Sequence, residues 1–99
     1  MNSNVYRFVF PESVPLEEVE ATLLLSIMGV ESLHGTPQVQ LDAGHFLDVE
    51  RRACVIDANT PAGRDLARLF AGFVLREFGP DSFRVEHPGR TRSMREDSN

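Results

Sequence analysis

The chain has 99 residues, and its fifteen acids outnumber ten basic residues, every one an arginine, for a formal net charge of −5 at pH 7. A chain of this length buries roughly 65% of the surface that its unfolded form exposes, enough for one core, and its 41% apolar content is that of a globular domain. The acidic balance argues against nucleic acid as a specific partner, since phosphate backbones are held by clustered positive charge. The apolar runs are too short to cross a bilayer, and no basic segment leads into an apolar one at the N-terminus, so neither a membrane partner nor a signal peptide is expected.

Taken in chain order, "VYRFVF" at residues 5–10 is β-branched and aromatic and closes on Pro11, the pattern of a strand. After Pro15 the series Leu16, Val19, Leu23, Ile27, Val30 recurs at spacings of three and four, and Glu17, Glu18 and Glu20 suit the positive end of a helix. This predicts a first helix from about residue 15 to residue 28, stopped by Gly29 or Gly35. Val39 and Leu41 then alternate with Gln38, Gln40 and Asp42, which predicts an extra short strand over residues 38–42, or the first half of a strand bulged at Ala43 and Gly44. A hairpin follows, with strands over 45–50 and 53–58 and a tight turn at Arg51 and Arg52. Cys54, the single cysteine, lies in the second of these strands between Ala53 and Val55. It reads as a small buried hydrophobe in a reducing compartment, which favours the cytoplasm.

A second long helix is predicted over residues 61–78, opened by Thr60 and Pro61, striped by Leu66, Leu69, Phe70, Phe73, Val74 and Phe78, and ended by Gly79 and Pro80. "SFRVEH" at 82–87 is a last strand. Residues 88–99 hold little to bury and are expected to form a tail carrying Arg90, Arg92 and Arg95. The reading is therefore one domain over residues 1–87, of α+β class. The order strand, helix, two or three strands, helix, strand predicts a ferredoxin-like sandwich, βαββαβ with room for one extra strand, its mainly antiparallel sheet covered on one face by two helices. That architecture serves many functions and assigns none.

With Leu47, Val49, Cys54, Ile56, Phe83 and Val85 inward, the outward sheet residues are Phe46, Asp48, Glu50, Ala53, Val55, Asp57, Arg84 and Glu86, an acidic set with one aromatic where base stacking would need several. His34, His45 and His87 with Asp42 or Asp48 match no metal-ligand spacing, and no metal or other cofactor is expected. Catalysis by Cys54 is unfavourable for a thiol in apolar surroundings. The turn "DANTPAG" resembles neither a P-loop nor a dinucleotide loop, because Gly63 stands alone and the chain has no lysine. What it leaves is a candidate small-anion or enzymatic site at Asp57, Asn59, Thr60, Gly63 and Arg64, set against the plainer reading of Thr60 and Pro61 as a helix start.

A surplus apolar face on the first helix carries the preferred functional expectation. Once Leu16, Val19, Leu23, Ile27 and Val30 cover the sheet, Ala21, Leu24, Leu25 and Met28 fall on the far side, where a helix of this fold should meet water. Leu75, with Ala71, is expected to extend that patch from the second helix. A helix apolar nearly all round is either deeply buried or packed on another chain. The expectation is a non-catalytic interaction or regulatory module that forms a homodimer or docks on another protein through this face; the competing one is that residues 35–44 fold back over it.

Overall fold

The computed structural model describes residues 4–87, so the tail predicted over 88–99, with Arg90, Arg92 and Arg95, lies outside the described residues. The chain is of α+β class, with three helices and a four-stranded antiparallel sheet, in the order β1 (Val5–Val9), α1 (Leu16–His34), α2 (Thr36–Asp42), β2 (His45–Asp48), β3 (Ala53–Asp57), α3 (Pro61–Phe78) and β4 (Arg84–Glu86). The strands lie side by side as β2-β3-β1-β4. β1 is central, pairing Phe8 with Cys54 on one side and with Val85 on the other.

Partners directly opposite across a ladder share a face. Phe8, Cys54, Leu47 and Val85 therefore form one inward row, and Tyr6, Ile56 and His45 the next. Phe8, Phe70, Ile56, Leu66, Val19, Val30 and Val74 are fully buried, and the Phe8 and Phe70 rings meet edge to face at 5.0 Å between centroids. The core thus fills the space between one sheet face and the helices.

α3 has the predicted limits because both ends are set locally. Thr60, in extended conformation, accepts from the Gly63 N–H through its side chain, Pro61 occupies the first turn, and Gly79 leaves the helix at φ 95° while donating to the Leu75 carbonyl. α1 runs through Gly29 and stops at Gly35, whose φ of 87° needs glycine. Its buried face also differs from the predicted stripe. Val19, Thr22, Leu23, Ser26 and Val30 are buried, while Leu16 and Ile27 are only half-buried. The helix is rolled toward α3 because Thr22, Ser26 and Gly29 are small enough to admit a close neighbour. A Cβ added at Gly29 would lie 2.7 Å from the Leu69 Cδ2 atom, and the Ser26 hydroxyl returns its hydrogen bond to the Thr22 carbonyl at 2.8 Å.

The strand predicted over residues 38–42 is instead the helix α2. Alternation of Val39 and Leu41 suggested two inward side chains, but in a helix they stand about 200° apart. Val39 is buried at 2% exposure and Leu41 is 82% exposed. Gly35 turns the chain, Pro37 sits in the first turn, and Gln38 donates to the Asp42 carboxylate one turn on. The hairpin also turns earlier than predicted. Val49 to Arg52 form the turn, so Val49 is exposed rather than inward, and Glu50 leaves the strand.

Arg52 occupies the turn's left-handed position at φ 53°. Its guanidinium donates to the carbonyls of Phe10, at 3.2 Å, Pro11, at 2.8 Å, and Val14, tying the β1–α1 connection to the hairpin. Ala53 faces outward but is fully buried, being small enough for its cross-strand neighbours Val9 and Asp48 to cover.

Candidate functional site

The strand-to-helix junction brings Asp57, Asn59, Thr60 and Gly63 together and commits their polar groups to one another and to neighbouring backbone. Asp57 Oδ1 accepts from the Asn59 backbone N–H at 2.9 Å and from its side-chain amide at 2.6 Å, while Asn59 Oδ1 accepts from the Asn4 backbone N–H at 3.0 Å. The Thr60 hydroxyl donates to the Asp42 carbonyl at 2.8 Å and accepts from Gly63 N–H at 3.0 Å. The Arg64 N–H is taken by the Thr60 carbonyl. An anion held at a helix start needs N–H groups with no other partner, and the first turn of α3 has already committed those of Gly63 and Arg64.

Gly63 has a packing reason of its own. A Cβ there would stand 2.0 Å from the Asp57 carbonyl oxygen, so the glycine lets α3 pass directly over the end of β3. Arg64 parts from the group. It is exposed on α3 and lines a groove of about 230 Å³ between that helix and the β1–β4 edge of the sheet. Tyr6, Phe8 and Val85 form the groove's sheet side, and Ala67 and Ala71 its helix side, with Arg64 and Arg68 beside them. Sequence reasoning singles out neither Arg68 nor Ala67, and names Ala71 only as a flank of the α1 patch. The available signal was an i, i+4 arginine pair on one helix flank with alanines at its side.

The three histidines are engaged in the fold. His34 Nε2 donates to Asp65 Oδ2 at 2.8 Å, linking α1 to α3. His45 Nδ1 donates to the Ala43 carbonyl, and the His87 ring packs edge-on against Tyr6. No three His, Cys, Asp or Glu side chains among the described residues come together as a metal-ion group. Burial pushes the Cys54 thiol up to about 12 from an ordinary 9.0, so it is protonated at neutral pH.

The outward sheet face adds β1 residues that the outward set drawn from β2, β3 and β4 leaves out. Val5, Arg7 and Val9 stand among Phe46, Val55, Ala53 and Asp48, and Arg7 pairs with Glu86 at 3.5 Å. Phe46, at 61% exposure, is the one aromatic side chain on this face among the described residues.

Among the described residues, nothing covers the outer face of α1. Leu24, Leu25 and Met28 are 55%, 53% and 62% exposed, and Ala21 beside them is exposed. These four occupy an arc of about 100° on the helix. α2 packs against α1 and α3 yet leaves the patch open, so residues 36–42 do not provide the intrachain cover. Leu75 is exposed, but it does not extend the patch. Six residues after Leu69, which meets α1 at Gly29, it is turned about 120° away, in line with Arg64 and Ala71 on the flank toward β4.

No helix among the described residues is long and apolar enough to cross a membrane. Comparison of the chain with protein-family models, with curated proteins and with solved structures finds no match in any of the three.

Proposed function

We propose that the protein is a non-catalytic interaction module that forms a homodimer through the outer face of α1. The observation that carries this reading is the apolar patch of Ala21, Leu24, Leu25 and Met28, exposed on a helix whose opposite face already completes the core. A second copy fits as the occupant because two copies of the patch can meet without opposing like charges. Residues 21–30 contain no charged side chain, whereas Glu17, Glu18 and Glu20 gather at one end. Two α1 helices crossing antiparallel near Leu25 about a two-fold axis keep those acids at opposite ends of the pair. The stripe, about 10 Å long, then forms a dry centre with polar side chains as its rim.

The strand order β2-β3-β1-β4, antiparallel throughout, with α1 and α3 as the two crossover helices, supports reading the architecture as ferredoxin-like with α2 as an insertion. A lone cysteine, buried and protonated, supports a reducing compartment such as the cytoplasm.

Light scattering of the full chain over a concentration series tests the dimer, with Leu25→Glu as the comparison. Leu25 is exposed in the single chain, so its replacement should alter folding stability by no more than about 0.5 kcal/mol. A dimeric parent and a folded, monomeric variant are expected. A parent that stays monomeric at its highest soluble concentration overturns the reading, and a variant that still dimerises removes α1 from the interface.

A further inference from the structure

We propose that the groove between α3 and the β1–β4 edge is a binding site for a single-chain anionic amphiphile, an apolar chain ending in a carboxylate or phosphate. The groove has the two parts such a molecule requires. Its walls are apolar, with Tyr6, Phe8 and Val85 on the sheet side facing Ala67 and Ala71 on the helix. Alanine at both helix positions leaves the space open. Phe8 is buried beneath, while Val85, at 43% exposure, is an inward-facing apolar side chain that no helix among the described residues covers.

Arg64 and Arg68 supply the charge. One turn apart on α3, they stand about 5–6 Å from each other at Cβ, a spacing at which two guanidiniums can share one anionic head group. No acid lines the groove, and neither guanidinium has an ion pair among the described residues. The nearby acids are engaged elsewhere. Glu86 is held between Arg7 at 3.5 Å and Arg84 at 3.1 Å, and Asp65, three residues before Arg68 on α3, is bonded to His34. In a chain of net charge −5, two arginines with no ion pair among the described residues, set beside an apolar cleft, are a local reversal of sign. The complement to that surface is negative at its head and apolar behind it. An apolar body with a few placed polar contacts is the usual composition of a small-molecule site.

This site is independent of the dimer reading, since the groove lies on the flank of α3 away from α1. The experiment is an amide NMR titration of the full chain with octanoate and octyl phosphate below their micellar range, with octanol, acetate and inorganic phosphate as controls. Saturable shifts centred on Tyr6, Ala67, Ala71 and Val85 with either amphiphile are expected, and the tighter head group identifies the ligand's source. Arg64→Gln and Arg68→Gln should each weaken binding about tenfold. Ala71→Leu should fill the groove and abolish binding while the rest of the spectrum stays native. Equal binding of octanol would show an apolar cleft with no anion recognition and overturn the proposal. Equal binding of acetate or inorganic phosphate would show an adventitious ion only and overturn it too. Groove shifts that follow protein concentration in place of ligand would assign the cleft to a second copy, which also overturns it.

Discussion

Gly63→Ala separates two roles for the strand-to-helix junction, because they predict opposite signs. At an open helix start that merely offers N–H groups to an anion, replacing glycine with alanine removes backbone freedom from the unfolded chain and stabilises by up to about 1 kcal/mol. In the structure the added Cβ would lie 2.0 Å from the Asp57 carbonyl oxygen, 3.1 Å from its carbon and 3.1 Å from the Thr60 hydroxyl. Carbon–oxygen contacts of this kind settle near 3.3 Å, so α3 must retreat from β3 by about 1.3 Å.

Both sides of that contact are backbone, and no side chain can swing away. Overpacking of this kind costs about 1–3 kcal/mol, and displacing Gly63 also breaks the Thr60 cap, about another 1 kcal/mol. Against the propensity gain the expected net loss is about 2 kcal/mol, a fall in melting temperature on the order of 10 °C for a domain this size. Urea unfolding followed by circular dichroism reads it, with two other helical glycines as internal standards. Gly72 has nothing within 4 Å of an added Cβ, so Gly72→Ala should stabilise by about 0.5–1 kcal/mol. Gly29→Ala meets only the Leu69 side-chain tip, 2.7 Å away, and should fall between the two. A Gly63→Ala protein as stable as the wild type would refute the packing argument and return this glycine to the anion reading.

Arg52→Met retains most of the apolar stem but loses the bonds to the Phe10, Pro11 and Val14 carbonyls, and should cost about 2–3 kcal/mol by urea midpoint. A change below about 0.5 kcal/mol would show that the guanidinium does not clamp the loop. Cys54 makes alkaline stability informative. Its thiol ionises near 9.0 when unfolded but only at about 12 when folded, so above pH 9 the unfolded chain releases a proton that the native state retains. Stability is therefore lost as pH rises, by about 1.4 kcal/mol per unit at most from this group. Comparing wild type with Cys54→Ala between pH 8 and 10.5 isolates the contribution, and parallel pH curves would contradict it. In the same protein at pH 8, iodoacetamide should label Cys54 only at the rate of unfolding.

The parts legible in the sequence are those whose causes lie within one turn or one strand. Thr60, Pro61 and Gly79 mark both ends of α3, and the alternation around Leu47, Cys54 and Ile56 marks inward strand faces. The limits of this reading have equally local causes. Residues 38–42 satisfy a strand pattern and a one-turn helix pattern at once, since two apolar residues two apart do not choose between them. The outward sheet face was incomplete without Arg7 and Val9, whose places depend on β1 lying between β3 and β4.

By itself, the sequence determined the α+β class, the long helices, the hairpin and the surplus of apolar residues on α1, because capping chemistry and hydrophobic period act over a few neighbouring residues. Only the tertiary structure decided that α1 rolls onto its small residues Thr22, Ser26 and Gly29, that Gly63 rests on Asp57, and that Arg64 joins Arg68 over a groove lined by Tyr6 and Val85. Each of these depends on atoms brought together from distant parts of the chain. The approach of Leu69 to Gly29, or of β4 to β1, is set by how the whole core packs, and no local window of residues contains it.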